Sequence, residues 1–81
     1  MNGYLVLLRG LTYDFPISLH ETEEEAEFAA MMVWQDPDKA KDETLIEIGH
    51  EDEGNFTAVE IIHFQNGRPV SLKLAGGGLL Y

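Results

Sequence analysis

Runs and alternations of apolar residues predict where the strands of this chain lie. Residues 4–9 form an almost unbroken apolar run, which is typical of a central strand that is covered on both sides. The next segment alternates, and Phe15, Ile17 and Leu19 are expected to face inward. Pro16 favours an edge position for this second strand, because proline cannot donate a ladder hydrogen bond.

A helix is predicted to begin after Thr22. Thr22 with Glu25 three residues later forms a capping box, and the acidic first turn suits the helix dipole. The helix should end before Pro37, since the residue that precedes a proline disfavours helix. At helical spacing the core face is expected to hold Ala26, Ala29, Met32 and Val33, with Phe28 and Ala30 beside them. Met31 and Trp34 fall on the opposite side.

The second half of the chain is expected to supply three more strands. Residues 36–43 form a polar loop, and residues 44–50 alternate as a third strand. Residues 56–65 and 68–75 are predicted to form the last two. The predicted fold class is therefore α+β, with the order ββαβββ along the chain: a small antiparallel sheet with one helix packed on one face.

The turn between the last two strands is the strongest hairpin pattern in the sequence. Asn66 and Gly67 favour a two-residue type I′ turn. The regular register of such a hairpin places Glu60 across from Lys73, a pair of opposite charges. The same register collects on one face Val59, Ile61, Val70, Leu72 and Leu74.

The length of 81 residues leaves room for one domain. We expect it to occupy residues 1–75, with residues 76–81 as a glycine-rich hinge and an apolar tail. Domains of this size have a thin margin of stability and usually need disulfides, a metal, oligomerisation or unusually good packing. The sequence has no cysteine, which excludes disulfides and thiolate metal sites.

Charge is distributed very unevenly along the chain. Fourteen acidic residues and two lysines lie within residues 21–60, a net charge of −12, whereas the rest of the chain has three basic residues and one acidic residue. An overall charge of −10 repels nucleic acid and anionic lipid, so no nucleic-acid or membrane partner is expected. The apolar run at residues 4–8 is too short for a signal-peptide core, and we expect a soluble cytoplasmic protein.

The titratable residues give little support for an enzyme. His20, His50 and His63 stand near carboxylates, but no two of them have the spacing of a metal-binding motif. The glutamates of the first helical turn are expected to complement the helix dipole rather than act as acid and base. No catalytic, metal or cofactor residue is therefore predicted.

The remaining apolar positions suggest an interaction surface. A single helix covers one side of the sheet, and the other side is expected to expose Tyr4, Val6, Leu8, Leu45, Ile62 and Phe64. Secondary contacts are expected at Met31, Trp34, Leu79, Leu80 and Tyr81. The alternatives to a second copy are that the apolar tail folds back over part of this face or that it packs on Met31 and Trp34. We expect a non-enzymatic interaction domain that forms a homodimer through this sheet face. The alternatives are an acidic inhibitor or immunity-type protein that binds a basic protein and, less favoured, a metal-dependent enzyme.

Overall fold

A four-stranded antiparallel sheet forms the body of the chain in the computed structural model, which describes residues 2–47 and 53–77. The strands are β1 (Gly3–Gly10), β2 (Asp14–His20), β3 (Phe56–Gln65) and β4 (Arg68–Gly77). Their spatial order is β2-β1-β3-β4. The predicted central position of the first strand and edge position of the second are both confirmed.

The main helix, α1 (Glu23–Gln35), begins and ends where the sequence predicts. The Thr22 side chain accepts a hydrogen bond from the Glu25 N–H at 3.2 Å, and its hydroxyl donates to the Glu25 carboxylate. These bonds satisfy backbone and side-chain groups at the helix start. A short second helix, α2 (Pro37–Lys41), replaces the predicted polar loop. Pro37 suits the first helical position, because its missing N–H would have no partner there.

The core lies between α1 and one side of the sheet. Its buried members are Val6, Leu8, Phe15, Ala26, Ala30, Val33, Ala40, Val59 and Ile61. The helix face differs slightly from the prediction: Ala30 is buried, whereas Met32 is 53% exposed. The buried face of α1 consists of Ala26, Ala30 and Val33, so Met32 lies at its flank.

The hairpin between β3 and β4 confirms the predicted turn. Asn66 and Gly67 have φ angles of 54° and 78°, and a type I′ turn needs positive φ at both central positions. Gln65 and Arg68 pair directly across the turn. The Asn66 N–H also donates to the side-chain oxygen of Asn2 at 2.7 Å, which ties the turn to the residue before β1.

Beyond this turn the register differs from the prediction. Val70 is left unpaired in a β-bulge, so Lys73 lies opposite Ile61 and Leu74 lies opposite Glu60. The predicted pairing of Glu60 with Lys73 is therefore wrong. A prediction that assumes regular alternation cannot locate an extra residue in a strand. One extra residue turns the side chains that follow it to the other face of the sheet.

The segment that was predicted as a third strand does not pair as one where it is described. Residues 44–47 form a bend beside the sheet, and residues 48–50 lie outside the described part of the chain. The α+β class, with one main helix packed against an antiparallel sheet, is confirmed. Within the described residues, no helix is long and apolar enough to cross a membrane.

Candidate interaction surface

The two sides of β1 differ in what covers them. Val6 and Leu8 are fully buried beneath α1, and Tyr4 packs at the margin of the same core. The prediction that Tyr4, Val6 and Leu8 lie on the uncovered face is therefore wrong. Both sides of this strand carry large apolar residues, so alternation alone cannot tell which side the helix covers. Leu5 and Leu7 point away from α1.

An apolar sheet surface, here termed the open face, lies on the side opposite both helices. Its leucine, isoleucine and phenylalanine members are Leu5, Leu7, Leu19, Ile62, Phe64, Leu72 and Leu74. One aliphatic row crosses all four strands through cross-strand neighbours, in the order Leu19, Leu5, Ile62 and Leu72. The two ends of this row are the most accessible, since Leu19 is 48% and Leu72 is 57% exposed. The open face therefore presents a continuous hydrophobic band to its surroundings.

Two of the predicted interface residues lie on the open face, and a third does not. Ile62 and Phe64 are half-buried members of it. Leu45 instead lies in the bend beyond the edge of β2, where its N–H donates to the Pro16 carbonyl at 2.8 Å. The Leu45 side chain is exposed, and the residue is not part of a strand.

Besides Leu5 and Leu7, three members of the open face lie on the side opposite to the predicted one. The alternation in the sequence predicts Leu19 inward and predicts Leu72 and Leu74 beside the core residues of β3. A β-bulge in each edge strand reverses these assignments: Ile17 is the unpaired residue in β2, and Val70 is the unpaired residue in β4. Each of the two directly follows a proline in the sequence. A proline within a strand is itself an indication of a bulge, and it was the available sign of these register shifts.

Charged residues occupy one end of the open face and bond to one another. The Arg9 guanidinium donates to the Asp14 carboxylate at 2.7 Å and to the Glu60 carboxylate at 2.8 Å. The bond to Glu60 is the main cause that raises the pKa of Arg9, and partial burial acts in the opposite direction. The Glu60 side chain is only 13% exposed. This end of the face thus holds its charges in internal pairs.

Lys73 lies on the other side of the sheet and connects it to α1. Its ammonium group bonds to the Glu27 carboxylate and lies 3.8 Å from that of Glu23. The bond to Glu27 is the main cause that raises the pKa of Lys73. The register shift at Val70 explains this contact, because it turns Lys73 toward the helix rather than toward Glu60.

Of the predicted secondary contacts, Met31 and Trp34 lie in the described part of the chain, and the three residues of the tail do not. Trp34 packs against β4 at Gly76, where an added Cβ would lie 2.9 Å from the indole Cγ. Met31 is half exposed on α1. Gly76 and Gly77 are the last residues of β4, and the predicted contacts Leu79, Leu80 and Tyr81 lie outside the described residues.

The histidines that fall in the described part of the chain have local partners. His20 shares a hydrogen bond of 2.7 Å with the Ser18 hydroxyl. The His63 ring stacks on Tyr4 with ring centroids 4.3 Å apart. His50 lies outside the described residues. Within residues 2–47 and 53–77, no group of three histidine or acidic side chains is arranged to hold a metal ion.

Comparison of the chain with protein-family models, with curated proteins and with solved structures found no match.

Proposed function

We propose that the chain is a small, non-enzymatic interaction domain that self-associates by packing the open faces of two copies together. The observation that carries this proposal is the aliphatic row across all four strands on the side opposite both helices. A half-exposed hydrophobic band of this extent on a sheet is typical of a surface that another protein surface covers. Two sheets pack face to face at a distance of about 10 Å with their side chains interdigitated.

The size of the open face fits a modest dimer interface. Four strands spaced by about 4.8 Å, each contributing about eight residues at about 3.3 Å per residue, cover about 500 Å² in each copy. Two copies would bury about 1,000 Å² together, near the lower limit for specific protein interfaces. We therefore expect a dissociation constant on the order of micromolar rather than nanomolar.

The distribution of charge also supports a second copy as the partner. A chain with a net charge of −10 repels copies of itself unless the touching surfaces are low in charge. On the open face, Asp14 and Glu60 are both bonded to Arg9, so the cluster has a net charge near −1. Most acidic residues in the described part of the chain lie in the helices and connecting segments. Face-to-face packing thus brings together the surfaces with the least repulsion.

Sedimentation equilibrium over a range of micromolar concentrations tests the proposal. The wild-type chain is expected to self-associate, and Leu72→Asp is expected to remove association, because it places a charge in the aliphatic row. Met31→Asp is the matched control: Met31 has a similar exposure, but it lies on α1, on the other side of the sheet. It should associate as the wild type does.

Two outcomes would overturn the proposal. One is a wild-type chain that remains a 9.1 kDa monomer throughout this range. The other is a loss of association in Met31→Asp equal to that in Leu72→Asp, which would place the contact elsewhere.

A further inference from the structure

A groove runs along the seam between α1 and the edge strand β2, on the helix side of the sheet. It consists of two neighbouring concavities. The first, of about 590 Å³, lies between His20 and Phe28, and the second, of about 310 Å³, lies between Ile17 and Met32. Phe28 and Met32 are four residues apart on α1, so the two concavities follow one another along a single helix face.

The groove is lined by apolar side chains, and one of them, Met32, is flexible enough to adapt to a partner. Ala29 and Val33 form its helix side, and Ala40 of α2 closes the far end. Phe28 is 64% and Met32 is 53% exposed, although both are large apolar side chains. Exposed methionine and phenylalanine beside small residues are characteristic of grooves that accept apolar anchors from a partner helix.

The rim of the groove is acidic. Glu24 and Glu25 border the first concavity, and Asp36 and Glu43 border the second. Among the described residues that line the two concavities, Lys39 is the one lysine or arginine. A partner with lysine or arginine on both sides of an apolar stripe would meet carboxylates at both ends of the groove, which speeds and orients the encounter.

The backbone of β2 favours a helical partner over an extended one. A strand added to this edge needs free donors and acceptors along it. At Pro16 there is no N–H, and the carbonyl already accepts the N–H of Leu45. A helix satisfies its own backbone and needs only side-chain contacts, so the blocked edge does not hinder it.

We infer that the groove between α1 and β2 binds a basic amphipathic helix of another protein. Residues 25–35 of α1, which span the groove, cover about 16 Å at about 1.5 Å per residue, so about three turns of the partner fit. Apolar side chains spaced by one helical turn occupy the two concavities, and basic residues beside them meet the acidic rim. The groove and the open face lie on opposite sides of the sheet, so this inference does not depend on self-association.

The test uses synthetic peptides of lysine and leucine as probes. One peptide has its leucines at i, i+3, i+4 and i+7, and the other is a scrambled isomer of the same composition and charge. Calorimetric titration should give at least about tenfold tighter binding of the amphipathic peptide at physiological salt. NMR titration should show the largest shifts at Ala29, Met32, Val33 and Ala40 rather than on the open face.

Substitutions in the chain locate the contact. Met32→Ala and Phe28→Ala are each expected to weaken binding of the amphipathic peptide by about tenfold, because each removes the wall of one concavity. Met31→Ala is the matched control, since Met31 is also about half exposed on α1 but lines neither concavity. It should bind as the wild type does.

Equal binding of the scrambled peptide would overturn the inference, because attraction would then depend on charge alone. An equal loss in Met31→Ala, or NMR shifts confined to the open face, would overturn it as well. A chain that fails to self-associate but still passes these tests would refute the proposed dimer and leave the groove in place.

Discussion

Replacement of Arg9 by methionine is expected to destabilise the fold through the carboxylate that it leaves behind. Arg9 bonds to both Asp14 and Glu60, and Glu60 is the more covered of the two carboxylates. Methionine keeps most of the apolar stem of arginine, so packing changes little. The main consequence is that the Glu60 carboxylate, whose side chain is only 13% exposed, loses its positive partner.

The loss in the free energy of unfolding caused by Arg9→Met lies between two known limits. Two unit charges about 4 Å apart attract by about 4 kcal/mol at an effective dielectric constant of 20. Arg9 is 42% exposed, so solvent screens part of this attraction. Exposed pairs contribute below about 1 kcal/mol, whereas leaving a buried charge unpaired costs about 3–5 kcal/mol. We expect Arg9→Met to lower the free energy of unfolding by about 2 kcal/mol.

A double-mutant cycle with Glu60→Gln isolates the interaction. The double variant should be about as stable as Glu60→Gln alone, which corresponds to a coupling of about 2 kcal/mol, the full cost of Arg9→Met. Urea denaturation followed by circular dichroism measures each free energy of unfolding. All variants are compared at one protein concentration, because self-association would add stability as the concentration rises.

The control is Asp14→Asn, whose parent side chain is 47% exposed and should contribute below about 0.5 kcal/mol. An Arg9→Met variant within about 0.5 kcal/mol of the wild type would refute the reasoning. Simple additivity of Arg9→Met and Glu60→Gln would refute it too, since the two residues would then be energetically independent.

Two further substitutions test contacts that stabilise α1, namely its packing against β4 and its N-terminal cap. Gly76→Ala should lower the free energy of unfolding by about 1–2 kcal/mol and shift the Trp34 fluorescence, because the new Cβ would lie 2.9 Å from the indole. Gly54→Ala, with no atom within 4 Å of the new Cβ, is its control, and an equal loss there would contradict the explanation. Thr22→Ala should cost about 1 kcal/mol in thermal or urea unfolding by removing the helix cap, whereas Thr22→Ser keeps the hydroxyl and should cost much less; equal losses would show that the cap is unimportant.

The parts of the fold that depend on local chemistry were predictable from the sequence. The start of α1 follows from Thr22 and Glu25, and its end follows from the proline two residues beyond it. The Asn66-Gly67 pair gave the turn of the last hairpin and its first cross-strand pair. In each case, a few adjacent residues determine the backbone conformation, so no knowledge of distant contacts is needed.

The parts that depend on distant contacts were not predictable in the same way. β1 has large apolar residues on both sides, so the choice between Val6 and Leu5 as the buried set depends on where the helix packs. The bulge residues Ile17 and Val70 shift the edge strands, and this shift decides which leucines join the open face. The existence of an uncovered apolar face was predictable from the single helix, but most of its members were not.

The two bulges of β4 also affect how this fold can vary in length. Ten residues of β4 are matched to eight residues of β3, because Val70 and Ala75 have no partner. A deletion at Val70 or Ala75 would leave every other pair of the hairpin in register. A deletion within the central strand would instead exchange its buried and open sides from that point onward. The outer strand β4 is therefore where this chain can lose a residue during evolution without changing which residues lie on the open face.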